Sequence, residues 1–161
     1  MKTRTILISL AAAGTLAGAA YWLMPRPPAT PVALLQPDNT RLTALGATIY
    51  QAQCVACHGA QLEGQPNWRE RGPDGLLPAP PHDASGHTWH HPDAVLFRIT
   101  RNGVAQEIND PSYRTAMPAF AGVLSDAEIV AVLSWIKAQW PTEIRERHDK
   151  INAQHAAAAA S

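Results

Sequence analysis

Two cysteines and a histidine stand together in the first half of the chain, and their types and spacing define a specific chemistry. Cys54 and Cys57 are separated by two residues, and His58 follows directly. In a CxxCH sequence the two thiols add to the two vinyl groups of haem and the histidine reaches the iron. The chain has no other cysteine. The motif therefore predicts one covalently attached haem c with His58 as an axial ligand.

Other interpretations of the cysteine pair stay open at this point. A chain with two cysteines that leaves the cytoplasm can form a disulfide, and the same spacing occurs in thioredoxin-like redox sites. A thioredoxin-like fold requires a βαβ unit, which the sequence does not show. A zinc site would need a second pair such as His87 and His91, which lies too far along the chain for a compact finger. The sequence favours haem over these alternatives.

The methionines predict the second axial ligand. Met1 and Met24 belong to the N-terminal leader, so Met117 is the one thioether in the remainder of the chain. A methionine is ordinarily a gap-filling core residue. Beside a haem the balance shifts toward ligation of the iron, which raises the reduction potential and leaves no open coordination position. We therefore predict His58 and Met117 as the axial pair.

Four further histidines crowd the stretch 81–92. A copper or zinc site, an alternative haem ligand and a docking patch are three functional interpretations of this loop. The simpler interpretation is a polar loop in which one or two imidazoles cap the helix that starts near Pro92. No fixed helical or strand spacing brings the four together on a metal, so we expect the polar loop. The four residues are His82, His87, His90 and His91.

Helical periodicity predicts the element that precedes the cysteine motif. Asp38 or Asn39 caps its start, and its apolar stripe consists of Leu42, Leu45, Ile49 and Ala52. The stretch 59–92 is rich in glycine and proline, which predicts a long loop of the kind that can wrap a cofactor. A short helix follows, with Pro92 in its first turn and Gly103 at its end.

A second long helix is predicted near the end of the chain. Ser125 and Glu128 form a capping box at its start, and Pro141 ends it. Its buried side consists of Ile129, Val132, Leu133 and Ile136, with Trp135 beside them. We expect 142–155 to add a charged surface helix and 156–161 to be an alanine-rich tail without fixed structure. No strand pattern persists, so helices dominate.

The N-terminal segment predicts export. Lys2 and Arg4 precede an uncharged stretch that is long enough to span a bilayer, while small residues at 17–19 resemble a signal-peptide cleavage site. We expect an uncleaved anchor that places the domain on the periplasmic side of the bacterial cytoplasmic membrane; a cleaved leader would give a soluble periplasmic protein. The predicted division of the chain is 1–24 signal peptide or membrane anchor, 25–37 proline-rich tether, 38–141 haem domain and 142–161 charged segment and tail.

Charge argues against a nucleic-acid partner. The chain carries 13 basic and 13 acidic residues, with no basic face strong enough to hold a phosphate backbone. The expected partners are redox proteins that donate and accept electrons. No acid, base or nucleophile constellation is visible, so the sequence predicts an electron carrier and not an enzyme in its own right. Rival interpretations are a haem subunit of a larger oxidoreductase, a weak peroxidase, and a haem or metal sensor that uses the histidine loop.

In its motifs the sequence resembles the class I cytochromes c. The run 46–50 followed by 54–59 matches the family's first helix and haem-attachment motif, Met117-Pro118 matches its distal methionine loop, and 132–136 resembles its last helix. The resemblance covers roughly 40–140. It implies the cytochrome c fold, which is all-α: crossed N- and C-terminal helices with loops wrapping one haem, here preceded by an N-terminal membrane-targeting helix.

The resemblance also implies particular contacts. An aromatic residue of the last helix should pack across the first helix near Gly46 and Tyr50, where the glycine allows a close approach. In the family a proline carbonyl in the loop after the haem motif accepts a hydrogen bond from the axial histidine. Pro80 and Pro81 are the candidates here, and His58 is the expected donor.

Overall fold

A computed structural model of the protein describes residues 34–160, which fold as an all-α domain. Within this range no strand forms beyond a single isolated bridge between Ala121 and Leu124. The α-helices are α1 (Thr40–Gln53), α2 (Val55–His58), α3 (Asp93–Asn102), α4 (Val104–Glu107), α5 (Asp126–Ala138) and α6 (Thr142–Ala159), and a 3₁₀ helix spans Thr88–His90. The predicted all-α class is confirmed. The expected membrane-targeting helix in 1–24 lies outside the described residues, as does most of the tether.

The long helix α1 begins and ends as its sequence indicates. The Asn39 side chain accepts a hydrogen bond from the backbone N–H of Leu42, which settles the choice between the two predicted caps. Ile49 and Tyr50 are buried, whereas Leu45 and Ala52 of the predicted stripe are exposed. The helix ends where the backbone N–H of Cys54 donates to the carbonyl of Tyr50. The start of the haem-attachment motif is therefore built on the end of α1.

The second long helix, α5, confirms its predicted start and its buried side. Ser125 and Glu128 form the reciprocal capping box. The predicted core positions Ile129, Val132, Leu133 and Ile136 are all buried. The helix ends at Ala138, before Pro141, which precedes the next helix.

The crossing of α1 and α5 forms the centre of the core. A Cβ atom added at Gly46 would collide with the backbone carbonyl of Ala131, so the two helices approach as closely as only glycine allows. The Tyr50 and Trp135 rings pack with centroids 4.7 Å apart. The aromatic contact implied by the family resemblance is thereby confirmed.

The stretch between α2 and α3 is irregular, as its proline and glycine content predicts. Its backbone forms turns and, at Thr88–His90, the one 3₁₀ helix. Pro92 stands at the N-cap of α3 and Gly103 at its C-cap with φ near 89°. The predicted short helix is therefore present with its expected stop.

The last helix departs from its predicted extent and surroundings. It was expected to be a charged surface helix as far as 155, followed by a tail without structure, but it continues through the alanines to Ala159. Alanine is the best helix former, so a run of alanines extends a helix that has already nucleated. The helix is also not wholly at the surface, because Ile144 and His148 are buried.

A buried polar network ties α6 and the residues before α1 to the domain. The carboxylate of Asp93, at the start of α3, accepts hydrogen bonds from the backbone N–H of Leu35 at 2.9 Å and from the Asn152 side chain at 3.0 Å. The Lys137 ammonium, only 2% exposed, lies 3.9 Å from Asp93 and 2.6 Å from Asp149. Leu35, in the predicted tether, is itself buried. The packed domain thus includes the end of that segment.

None of the helices described between residues 34 and 160 combines the length with the apolar composition needed to cross a membrane.

The Gly46 contact yields a stability prediction. We expect Gly46→Ala to lower the free energy of unfolding by about 1–3 kcal/mol, the usual cost of overpacking, although alanine is the better helix former. Urea unfolding followed by circular dichroism measures it. Gly72→Ala is the control, since a Cβ there would meet the end of the Asp74 side chain at 3.1 Å and otherwise nothing closer than 3.7 Å. Equal stabilities of Gly46→Ala and wild type would contradict the close crossing.

Buried His148 yields a pH prediction. Burial, and then the charge of Lys137, lowers the pKa of His148 below 6.5. The unfolded chain therefore binds a proton at this residue at a higher pH than the folded protein does, and stability falls as the pH drops below about 6.5. The slope for one proton is at most about 1.4 kcal/mol per pH unit.

We expect His148→Gln, which keeps a donor for the carbonyl of His91 but cannot titrate, to flatten this slope by up to that amount. Urea midpoints at pH 5.5, 6.5 and 7.5 measure the difference between variant and wild type. His155→Gln, at an exposed position on the same helix, is the matched control and should keep the wild-type slope. Parallel slopes for all three proteins would rule out the contribution of His148.

Candidate functional site

The two cysteines of the motif lie at the junction of α1 and α2. Cys54 is half-buried between the helices and Cys57 is exposed, and both are free thiols. Burial, followed by the nearby Cys57, raises the pKa of Cys54 to about 11, so this thiol is protonated at neutral pH. The sulfurs of Cys54 and Cys57 are not bonded to each other, so the disulfide interpretation of the pair finds no support in the structure.

His58 closes the motif with its imidazole buried and oriented. Its Nδ1 lies 2.9 Å from the carbonyl oxygen of Pro80. A carbonyl only accepts hydrogen bonds, so Nδ1 carries the proton. Burial lowers the pKa of His58, while the bond to Pro80 opposes that shift. The neutral imidazole that results keeps the lone pair of Nε2 available for a metal, and Pro80 is confirmed as the hydrogen-bond acceptor.

Backbone contacts hold the Pro80 carbonyl in place. The N–H of Gly64 donates to the carbonyl of His58 at 2.9 Å, and the N–H of Gln65 donates to the carbonyl of Ala79 at 2.8 Å. Gly64 has a φ of 67°, and a Cβ there would lie 2.5 Å from the backbone nitrogen of Pro81. A glycine is required where these two loop segments meet. The contact between them fixes the distance between His58 and the carbonyl of Pro80.

A second imidazole lies against the first. The ring of His82 stacks on that of His58 with centroids 3.9 Å apart and planes 18° from parallel. Its Nδ1 lies 2.6 Å from the Thr88 hydroxyl, and its carbonyl accepts a hydrogen bond from the Trp140 indole at 2.7 Å. Burial, and then the neighbouring His58, lowers the pKa of His82 well below 6.5. His82 is therefore a neutral side chain beside the candidate ligand.

The four loop histidines do not form one group. His82 is turned into the domain, whereas the Nε2 atoms of His87 and His91 meet at 3.0 Å and His90 is exposed beside them. No spacing in the sequence distinguishes His82 from the other three, so its contact with His58 was not predicted. The one local signal for it was that His82 directly follows Pro80 and Pro81.

Tyr50 supports the motif from α1. Its hydroxyl donates to the carbonyl of Gly59 at 2.9 Å, directly after His58. Burial raises the pKa of Tyr50, so the phenol stays protonated and remains a donor. The sequence indicated Tyr50 as a packing residue, and this second role depends on the left-handed turn at Gly59, where φ is 81°.

Met117 lies in the loop between α4 and α5, where sequence analysis placed it. The residue is half-buried, and its backbone N–H donates to the Thr115 hydroxyl at 3.1 Å. The loop is attached to α3 just beyond, where the N–H of Phe120 donates to the carbonyl of Thr100 at 3.0 Å. Ligation of iron by Met117 remains a prediction.

The donor set suits haem and not zinc. Two reduced thiols, a neutral imidazole with a free Nε2 and one thioether are the groups that covalent attachment and axial ligation of haem require. Within residues 34–160 no three or more His, Cys, Asp or Glu side chains converge on a metal position. The cysteine pair and the His87–His91 pair therefore do not form the zinc site considered from the sequence.

Comparison with known proteins agrees with this donor set. The family model described as cytochrome C oxidase, cbb3-type, subunit III matches residues 41–136. The cytochrome bc1 complex cytochrome c subunit of Corynebacterium diphtheriae is 27% identical over 135 residues, which cover 84% of this chain. The chain spans only 41% of the length of that relative. No solved structure matches the present chain significantly.

Proposed function

The chain belongs to the cbb3-type subunit III family of c-type cytochromes, and from that premise we propose that it is a monohaem carrier of single electrons between redox proteins outside the cytoplasm. Cys54 and Cys57 would hold the haem covalently, and His58 and Met117 would bind its iron. The observation that carries the proposal is the buried, neutral imidazole of His58, whose Nδ1 donates to Pro80. The two cysteines are compatible with one haem.

The chain's own residues would determine how that haem behaves. When bound, haem supplies a reversible one-electron couple. The hydrogen bond to Pro80 fixes the tautomer of His58 and makes the imidazole a stronger donor to a metal. Met117 would favour the reduced state, because a thioether binds ferrous iron better than ferric iron. With His58 and Met117 both binding the iron, no coordination position would be left for a substrate, which would favour a carrier over a peroxidase.

A second candidate function is that of a haem subunit in a respiratory complex. The matching family model and the corynebacterial relative are both named as subunits of such complexes. The uncharged N-terminal stretch from Thr5 to Met24 would anchor the domain at the outer face of the cytoplasmic membrane, next to those partners. In this arrangement the donor and acceptor would be neighbouring subunits.

An optical spectrum tests the carrier proposal. We expect protein made in a host that attaches haem c to carry one covalent haem and, when ferric, to show the weak near-red band of methionine sulfur on iron. Met117→Ala should lose the band and the high potential but keep the covalent haem. Val123→Ala, at an exposed position in the same loop, is the control. Attached haem without the band in the wild type would exclude Met117 and favour a peroxidase or sensor.

Membrane fractionation tests the location and the second candidate together. We expect the haem-stained chain to stay in the membrane fraction after a high-salt wash and to require detergent for release, because an apolar anchor is not removed by salt. On a native gel the haem should migrate with a large complex if the chain is a resident subunit, and near its own 17.3 kDa mass if it is a mobile carrier. Soluble protein that begins near Ala20 would refute the anchor.

A further inference from the structure

Two imidazoles at the surface of the histidine loop bring their Nε2 atoms within hydrogen-bond distance of each other. His87 precedes the 3₁₀ helix Thr88–His90 and His91 follows it. The turn closes when the N–H of His91 donates to the carbonyl of Thr88 at 3.2 Å. The Nε2 atoms of His87 and His91 consequently lie 3.0 Å apart. This pair is distinct from His58 and Met117, the proposed haem ligands.

The separation of the two nitrogens matches that of neighbouring ligands on one metal ion. Metal–imidazole bonds are about 2.0–2.1 Å long, so nitrogens at right angles around an ion lie about 2.8–3.0 Å apart and tetrahedral ones about 3.3–3.4 Å apart. The observed 3.0 Å is close to the right-angled case. Square-planar or tetragonal nitrogen coordination is the preference of Cu(II) and Ni(II).

The geometry points to a surface chelate for a divalent transition metal, Cu(II) above all, formed by Nε2 of His87 and Nε2 of His91. Among first-row divalent ions Cu(II) binds such ligands most tightly. Within the described residues no third His, Cys, Asp or Glu converges with the pair, so water would complete the coordination. The bound ion would be exchangeable, as in a site that takes up and releases metal.

The electrostatic surroundings keep both ligands ready to bind. Burial and then neighbouring imidazoles lower the pKa of His87 and of His91, so both are neutral at pH 7. The charge of Glu107 acts on His91 and favours a cation there. Arg69, stacked on the Trp68 ring, acts on His87 in the opposite sense. The two charges oppose each other, and the nitrogen lone pairs remain the main attraction for a metal.

One neighbouring ring contacts His87, and one hydrogen bond fixes the backbone at His91. The His87 ring packs near His90, with centroids 5.6 Å apart and planes 27° from parallel. The carbonyl of His91 lies 2.9 Å from the His148 imidazole of α6, which fixes the C-terminal end of the turn. Because the backbone that carries the two histidines is fixed, metal binding would cost less conformational entropy than it costs two histidines on a free chain.

The competing explanation is that the two rings only share a hydrogen bond. At 3.0 Å one Nε2 can donate its proton to the other. For both nitrogens to bind a metal, the donor ring has to carry its proton on Nδ1 instead and to turn so that its Nε2 lone pair points at the metal and not at the other nitrogen; no proton is lost in this change of tautomer. Direct measurement of metal binding separates the two explanations.

The test is a Cu(II) titration of the full-length ferric protein with haem attached, because attachment consumes the two thiols that would compete for copper. Glycine in the buffer suppresses weak adventitious binding. We expect one equivalent of Cu(II) and an electron paramagnetic resonance signal with two nitrogen ligands. His87→Ala and His91→Ala should each weaken binding at least tenfold, and the control His155→Ala should bind as wild type does.

His87→Ala decides the outcome if the other variant fails to fold, since His87 is exposed. Its haem spectrum and thermal unfolding should match those of wild type. Copper binding of unchanged affinity and stoichiometry in His87→Ala would overturn the site. So would several weak equivalents that no histidine variant affects, which would mean adventitious binding only.

Discussion

The crossing of α1 and α5 at Gly46 is the contact from which the position of the functional site follows. α1 runs directly into the cysteine motif, so the contact that fixes its axis also fixes where the motif begins. The missing side chain at Gly46 allows the helix backbones to touch, and Trp135 then packs on Tyr50. Tyr50 links this crossing to the far end of the motif, because its hydroxyl donates a hydrogen bond to the carbonyl of Gly59, directly after His58. One helix contact therefore positions the motif at both ends.

The irregular loop that follows provides a free backbone carbonyl, which the interior of a helix cannot provide. Within an α-helix most carbonyls are occupied by N–H groups four residues later, so they are not free to accept from a side chain. The prolines at 80 and 81 prevent a helix there, and the carbonyl of Pro80 is free to bind Nδ1 of His58. The long proline-rich stretch thus has a chemical purpose. It delivers one carbonyl to one imidazole and buries that imidazole in its neutral form.

The parts of the fold and site that the sequence predicted correctly depend on neighbours along the chain. Caps at Asn39 and Ser125, the stop at Gly103 and the buried stripe of α5 each involve residues within a few positions of one another. Local chemistry also identified the histidine of the motif. That His82 packs on His58 while His87 lies at the surface could not be predicted in this way, because the Trp140 indole that bonds to the His82 carbonyl lies 58 residues further along.

The last helix shows that an apolar stripe can be buried even in a helix with many charged residues. Its many charged residues suggested a surface position, yet Ile144 and His148 stand four residues apart on one face, and Ile151 continues the same stripe. Ile144 and His148 are buried against the domain, Ile151 is half-buried, and His148 meets the network around Asp93. α6 lies beyond residue 136, where the family match ends. Because the His148 imidazole bonds to the backbone carbonyl of His91, this helix fixes the end of the histidine loop. The packed domain therefore extends beyond the residues that the family model matches.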